Sequence, residues 1–222
     1  MSWLSILLIA LLAPASAARP GATAADPAGA PPTLPPPPSA AEAARLVSGE
    51  VLLVSRPVAA PRALAEEVGR GIIDAPPERV FAAVVDFAHY QEWVPFVKRS
   101  DATPQGDGSV VSFQSLALPF PLSRRYYKIH ARSGVSGEGA GRVWRAWWRY
   151  VPGTGNVADH YGWWVLVPYG EGRTLGTCVL YTDPGHMPAW AVHRGTAETM
   201  PYVFSGLRQQ IRRSRYDHPD VH

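Results

Sequence analysis

The sequence predicts an α+β domain in which a curved antiparallel β-sheet wraps around one long C-terminal α-helix, with two short helices after the first strands. Three observations predict it. Apolar and polar residues alternate through residues 46–183, which is the period of half-buried strands. Glycine-rich or proline-rich links interrupt that alternation at short intervals, as hairpins require. The last patterned stretch, residues 188–213, instead spaces its apolar residues along one helical face.

The chain divides before that domain begins. Residues 1–17 have the form of a secretory signal. The apolar run at 3–12 is too short to span a bilayer, which takes roughly 20 residues, and Ala15-Ser16-Ala17 supplies the small-x-small cleavage pattern. Export follows as an expectation, to the bacterial periplasm or beyond the cell. Residues 18–44 are dominated by Ala, Pro and Gly, with Pro35-Pro36-Pro37-Pro38 among them, and read as a disordered or extended linker. Residues 45–214 form the domain and 215–222 a short tail. Cys178 is the one cysteine, so no internal disulfide is possible; a packed thiol is its plain reading.

Strands are predicted at 46–55, 68–74, 96–103, 109–118, 123–132, 142–151, 158–168 and 173–182. Links such as Gln105-Gly106-Asp107-Gly108, Pro152-Gly153-Thr154-Gly155-Asn156 and Gly170-Glu171-Gly172 separate them. Ala75-Pro76-Pro77-Glu78 opens a helix, with proline tolerated in the first turn and an acid near the positive end. Val80, Phe81, Val84, Val85 and Phe87 stripe one side of it. A second short helix is predicted at 89–93, stopping before Pro95. The C-terminal helix carries Trp190, Ala197, Phe204, Leu207 and Ile211 near one face, and Pro201 is expected to kink or split it. A sheet with one apolar face needs a cover, and this helix is the only large one available.

The stretch from Gly71-Ile72-Ile73-Asp74-Ala75-Pro76-Pro77-Glu78-Arg79-Val80-Phe81 to Phe87, continuing to Tyr90, Trp93, Pro95 and Phe96, resembles the opening of START-like proteins. That superfamily includes the START lipid-binding domains, polyketide cyclases and coenzyme Q-binding proteins. Gly162-Trp163-Trp164-Val165-Leu166-Val167-Pro168 is similar to the family's Gly-x-Trp-x-Leu-x-Pro strand. Asp183-Pro184-Gly185 with Pro188-Ala189-Trp190 resembles its entry to the last helix, and Gly206-Leu207-Arg208 that helix's closing portion. The resemblance implies the helix-grip fold and a tunnel between sheet and helix that accepts a hydrophobic molecule. Fold alone does not decide activity, because this scaffold hosts carriers and enzymes alike.

Strand parity points to the wall of such a tunnel. Arg125, Tyr127, Ile129 and Ala131 share one face, with Arg124, Tyr126, Lys128, His130 and Arg132 on the other. Trp144, Ala146, Trp148 and Tyr150 share the apolar face of the next strand; Trp164 pairs with Leu166 on the one after, where neither face is polar. The candidate ligand-binding residues are Trp93, Phe113, Tyr127, Ile129, Trp144, Trp148, Tyr150, Trp164 and Leu166, with Trp190, His193 and Ala197 from the helix. An aromatic wall can simply fill a core. It can also line a pocket, because buried indole and phenol donors need partners that a ligand head group can supply. His186 and His193 either form a solvated face or bring one imidazole to a ligand's polar end.

The expected function is therefore binding, with possible transfer, of a lipid-like molecule: a lipid, an isoprenoid, a sterol-like compound or a polyketide. The alternatives are a cyclase-like enzyme and an envelope protein with a filled core. No nucleophile elbow or phosphate-cradling loop occurs. A cyclase would draw on Tyr127, Tyr150, Arg125 and His193, since no carboxylate reads as inward. A net charge of +3 gives no nucleic-acid footprint, although contact with a membrane surface fits. No cofactor and no metal are expected, and a monomer is.

Overall fold

The computed structural model describes residues 28–58, 64–118, 124–185 and 189–217, with the side chains of 189–191 and 193–197 outside the description. In these residues an eight-stranded antiparallel sheet, in the order β1-β2-β8-β7-β6-β5-β4-β3, packs one face against a C-terminal helix. The elements are α1 (Ala40–Val47), β1 (Leu52–Pro57), β2 (Ala65–Ile73), α2 (Pro77–Val85), a 3-10 turn (Phe87–Glu92), β3 (Val97–Pro104) and β4 (Val110–Leu116). They continue through β5 (Arg125–Ser136), β6 (Val143–Tyr150), β7 (Asp159–Pro168), β8 (Thr174–Asp183) and α3 (Ala189–Gln210) to a last 3-10 turn at Ser214–Tyr216. This is the helix-grip architecture that the resemblance implies, built from the antiparallel meander and covering helix that the alternation and the terminal apolar stripe predict.

β2 is the strand that receives the helix, and glycine is the reason. A Cβ on Gly69 would lie 2.6 Å from Met200 Cγ, and one on Gly71 would lie 2.7 Å from Phe204 Cδ1. Any larger residue would have to displace these side chains, so the two glycines let them pack directly on the β2 backbone. Farther along, the Arg208 guanidinium donates twice to the Ile72 carbonyl, at 2.7 and 3.0 Å. Arg79 of α2 donates through Nε to the Ile211 carbonyl at 2.6 Å. The C-terminal half of α3 is thereby fastened to both β2 and α2. Pro201 lies inside one continuous α3 and does not split it.

Two features depart from the sequence expectations. Ala40–Val47, shared in that reading between linker and first strand, is a helix. Ser39 caps it: the Glu42 amide donates to Ser39 Oγ at 3.3 Å, and the Ser39 amide donates to Glu42 Oε2 at 2.8 Å. That reciprocal pairing starts a helix locally, and burial of Leu46 against Leu52, Ile72 and Leu175 holds it. The proline-rich stretch before it runs across the outer face of the sheet. Trp147 Nε1 donates to the Gly29 carbonyl, Arg145 Nε to that of Pro32 and Arg70 to that of Pro36, each at 3.0 Å. Prolines leave their carbonyls free of helix and strand partners, so they are available to side chains of the sheet. Among the described residues no helix is long and apolar enough to cross a membrane.

Candidate functional site

The inner face of the sheet does not close fully onto α3. A cavity of about 490 Å³ remains between the two, walled by β4, β5, β6, β7 and β8, by the segment 93–97 and by residues 198–203 of the helix. Its floor is apolar and aromatic: Trp93, Tyr127, Trp148, Trp164, Leu180 and Cys178 from below, Met200 and Val203 from above. Burial pushes the Cys178 thiol pKa up, which keeps it protonated and unreactive.

One end of the cavity is polar. Trp148 Nε1 donates to His160 Nε2 at 3.1 Å, and His160 Nδ1 lies 2.9 Å from Thr182 Oγ1. Tyr127 stacks beside His160 with ring centroids 4.5 Å apart and donates its phenol proton to Gln114 Oε1 at 3.3 Å. Desolvation drives the His160 pKa down to about 4, so the ring is neutral near pH 7. The same burial raises the Tyr127 phenol well above its ordinary range. This set of neutral hydrogen-bonding groups spans β4 to β8, with Arg125 also on the cavity wall.

The mouth is apolar and exposed. Phe96 and Tyr202 both line the cavity, yet are 38% and 66% exposed. Phe96 also holds a φ of 65°, an uncommon left-handed conformation for a bulky residue. Leu118 and Pro184 line the same cavity.

Of the residues expected to bind a ligand, Trp93, Tyr127, Trp148 and Trp164 lie on this wall. Ile129, Trp144 and Leu166 face inward but are sealed in the solid core beside it, all at 2% exposure or less. Tyr150 packs against that core, outside the cavity. Phe113 belongs to the outer face, with the Arg99 guanidinium 5.7 Å from its ring centre. Its parity follows from the pairing of Gln114 with Tyr127, which turns Gln114 and Ser112 inward instead. The side chains of Trp190, His193 and Ala197 lie outside the described residues. His160, Gln114 and Thr182 were missed. The signal was faint: polar residues at inward positions of otherwise apolar strands. One carboxylate does point inward, that of buried Glu67 on β2, which Ser55 Oγ approaches to 2.7 Å. Among the described residues no cluster of His, Cys, Asp and Glu could hold a metal ion.

The sequence matches the family described as polyketide cyclase / dehydrase and lipid transport over residues 73–202. A search of curated proteins finds no match. Among solved structures, a STAR-related lipid transfer protein from Xanthomonas axonopodis superposes with a TM-score of 0.63 at 22% identity, covering 73% of this chain and 99% of the other. Human StAR-related lipid transfer protein 5 gives 0.63 at 18% identity, over 73% and 82% of the two chains. A START superfamily protein from Mycobacterium smegmatis gives 0.51 at 16% identity, over 66% and 96%. At these identities the likeness is one of fold.

Proposed function

The chain belongs to the polyketide cyclase/dehydrase and lipid transport family, and on that premise we propose that it binds a hydrophobic small molecule, and carries it, in the cell envelope. One observation carries the reading: a cavity of about 490 Å³ walled mainly by Trp, Tyr, Leu, Met and Val, lying between the sheet and α3. Pockets for small ligands fall in a range of roughly 300–1,000 Å³, are mostly apolar and hold a few placed polar groups. The exposed rings of Phe96 and Tyr202 at the mouth suit brief contact with a membrane surface, where a carrier would load or unload. The N-terminal apolar run with its small-x-small site supports export.

Binding is favoured over acid–base chemistry by the state of the polar end. A general acid or base works best with a pKa near the working pH, whereas His160 lies far below neutrality and Tyr127 far above it. The test is native mass spectrometry of the purified full-length protein, with an organic extract analysed in parallel. A co-purifying hydrophobic molecule released by extraction is the expected result. Protein of bare mass that takes up no hydrophobic probe would overturn the proposal.

A further inference from the structure

The hydrogen-bond directions at the polar end of the cavity follow from the groups there that can only donate. An indole N–H can only donate, so His160 Nε2, 3.1 Å from Trp148 Nε1, must be an acceptor. A neutral imidazole carries one proton, which is therefore on Nδ1, where it faces Thr182 Oγ1 at 2.9 Å as well as the Tyr181 backbone, so that Thr182 cannot donate to it. The Thr182 hydroxyl proton is thus left for whatever occupies the cavity it lines. The Tyr127 phenol is 4% exposed and must also donate. Gln114 Oε1 at 3.3 Å is the acceptor on offer, which turns the Gln114 NH₂ away from the phenol. Gln114 is itself 5% exposed and lines the cavity, so this amide is a second donor without a protein acceptor among the described residues.

Resting on the binding function proposed above, we infer that this end of the cavity is a subsite for an acceptor oxygen of the carbonyl type, held by the Thr182 hydroxyl and the Gln114 amide. A ligand with an oxo group at its polar end satisfies both donors. A ligand ending in an ammonium brings donors to donors, and a pure hydrocarbon leaves both unpaired, which is costly in an apolar site. His160 and Trp148 are positioning residues: they fix which way the Thr182 proton points.

The test is displacement of the fluorescent probe N-phenyl-1-naphthylamine from the full chain by three ligands of twelve carbons each: methyl decyl ketone, laurylamine and dodecane. Two hydrogen bonds, each worth a factor of a few, give the ketone about a tenfold advantage over dodecane, with the amine weakest. Thr182→Val and Gln114→Met should each erase a few-fold of that advantage, in part by tightening dodecane, which then strands one donor fewer, and Thr182→Ser should keep it. Equal binding of all three ligands would leave the hydrophobic cavity standing and overturn the subsite. A ketone preference that survives both substitutions would overturn the assignment of these donors. Binding of neither probe nor ligand would bring down the function and the subsite together.

Discussion

Gly206 of α3 sits against the backbone of Trp93, where a Cβ would lie 2.3 Å from the Trp93 carbonyl oxygen. Trp93 is also part of the cavity wall. The distance between helix and wall is therefore set by a missing side chain.

Gly206→Ala tests this relationship. Alanine would gain about 1 kcal/mol in helix propensity. The contact is with backbone, though, which cannot rotate away as a flexible side chain can, and overpacking costs typically about 1–3 kcal/mol. The clash wins, and the melting temperature should fall by a few degrees. An unchanged or higher value would show that α3 lifts freely from Trp93.

Filling the cavity should remove the ligand and spare the fold. Leu180 lines the cavity from β8, and Leu180→Trp places an indole in existing space instead of in packed core. The expected result is loss of any co-purifying hydrophobic molecule, with thermal unfolding shifted by no more than a few degrees. Ala131→Trp is predicted to behave differently, because Ala131 is 1% exposed within the solid core. That variant should be destabilised by about 1–3 kcal/mol.

His160 makes stability depend on pH in a definite direction. Its pKa is lowered from 6.5 to about 4 in the folded chain, so below pH 6.5 the unfolded state takes up a proton that the folded state refuses. Stability from this group is complete above about pH 6.5. It declines as pH falls toward 4 and levels off below that, for a loss of about 3 kcal/mol. Urea unfolding at several pH values should show the decline in the parent and a much flatter profile over pH 4–6.5 in His160→Asn. Parallel profiles would mean that His160 is not desolvated.

The start of α1 can be probed with Ser39→Ala. Losing the side-chain cap costs about 1 kcal/mol. Amide exchange across Ala40–Val47 should accelerate about fivefold, while exchange in β7 and β8 stays the same. Exchange unchanged throughout would show that burial of Leu46 alone holds the helix.

Much of the scaffold was legible because it rests on local rules. Ala75-Pro76-Pro77-Glu78 announces α2, which begins at Pro77. The alternation in β5 and β6 sorts Tyr127 and Trp148 to the inner face before any partner strand is known. Ser39-x-x-Glu42 carried the same kind of local signal for α1, but it lay within alanines and prolines and was read as linker. Phe113 failed for a different reason. Its strand has apolar residues of both parities, and the register with β5, which turns Gln114 inward, is a pairing between strands.

The succession of strands along the chain, the long helix that follows them and the aromatic character of the inner wall were thus contained in the chain's own periodicity, since each is a pattern over neighbouring residues; the pairing of β2 with β8 was not. The polar end of the cavity was not. Gln114, Tyr127, Trp148, His160 and Thr182 stand on five strands, and only the pairing and bending of the sheet bring their atoms within hydrogen-bonding reach. Whether the grip is hollow was equally beyond local pattern, because an open space is a difference between two packed surfaces.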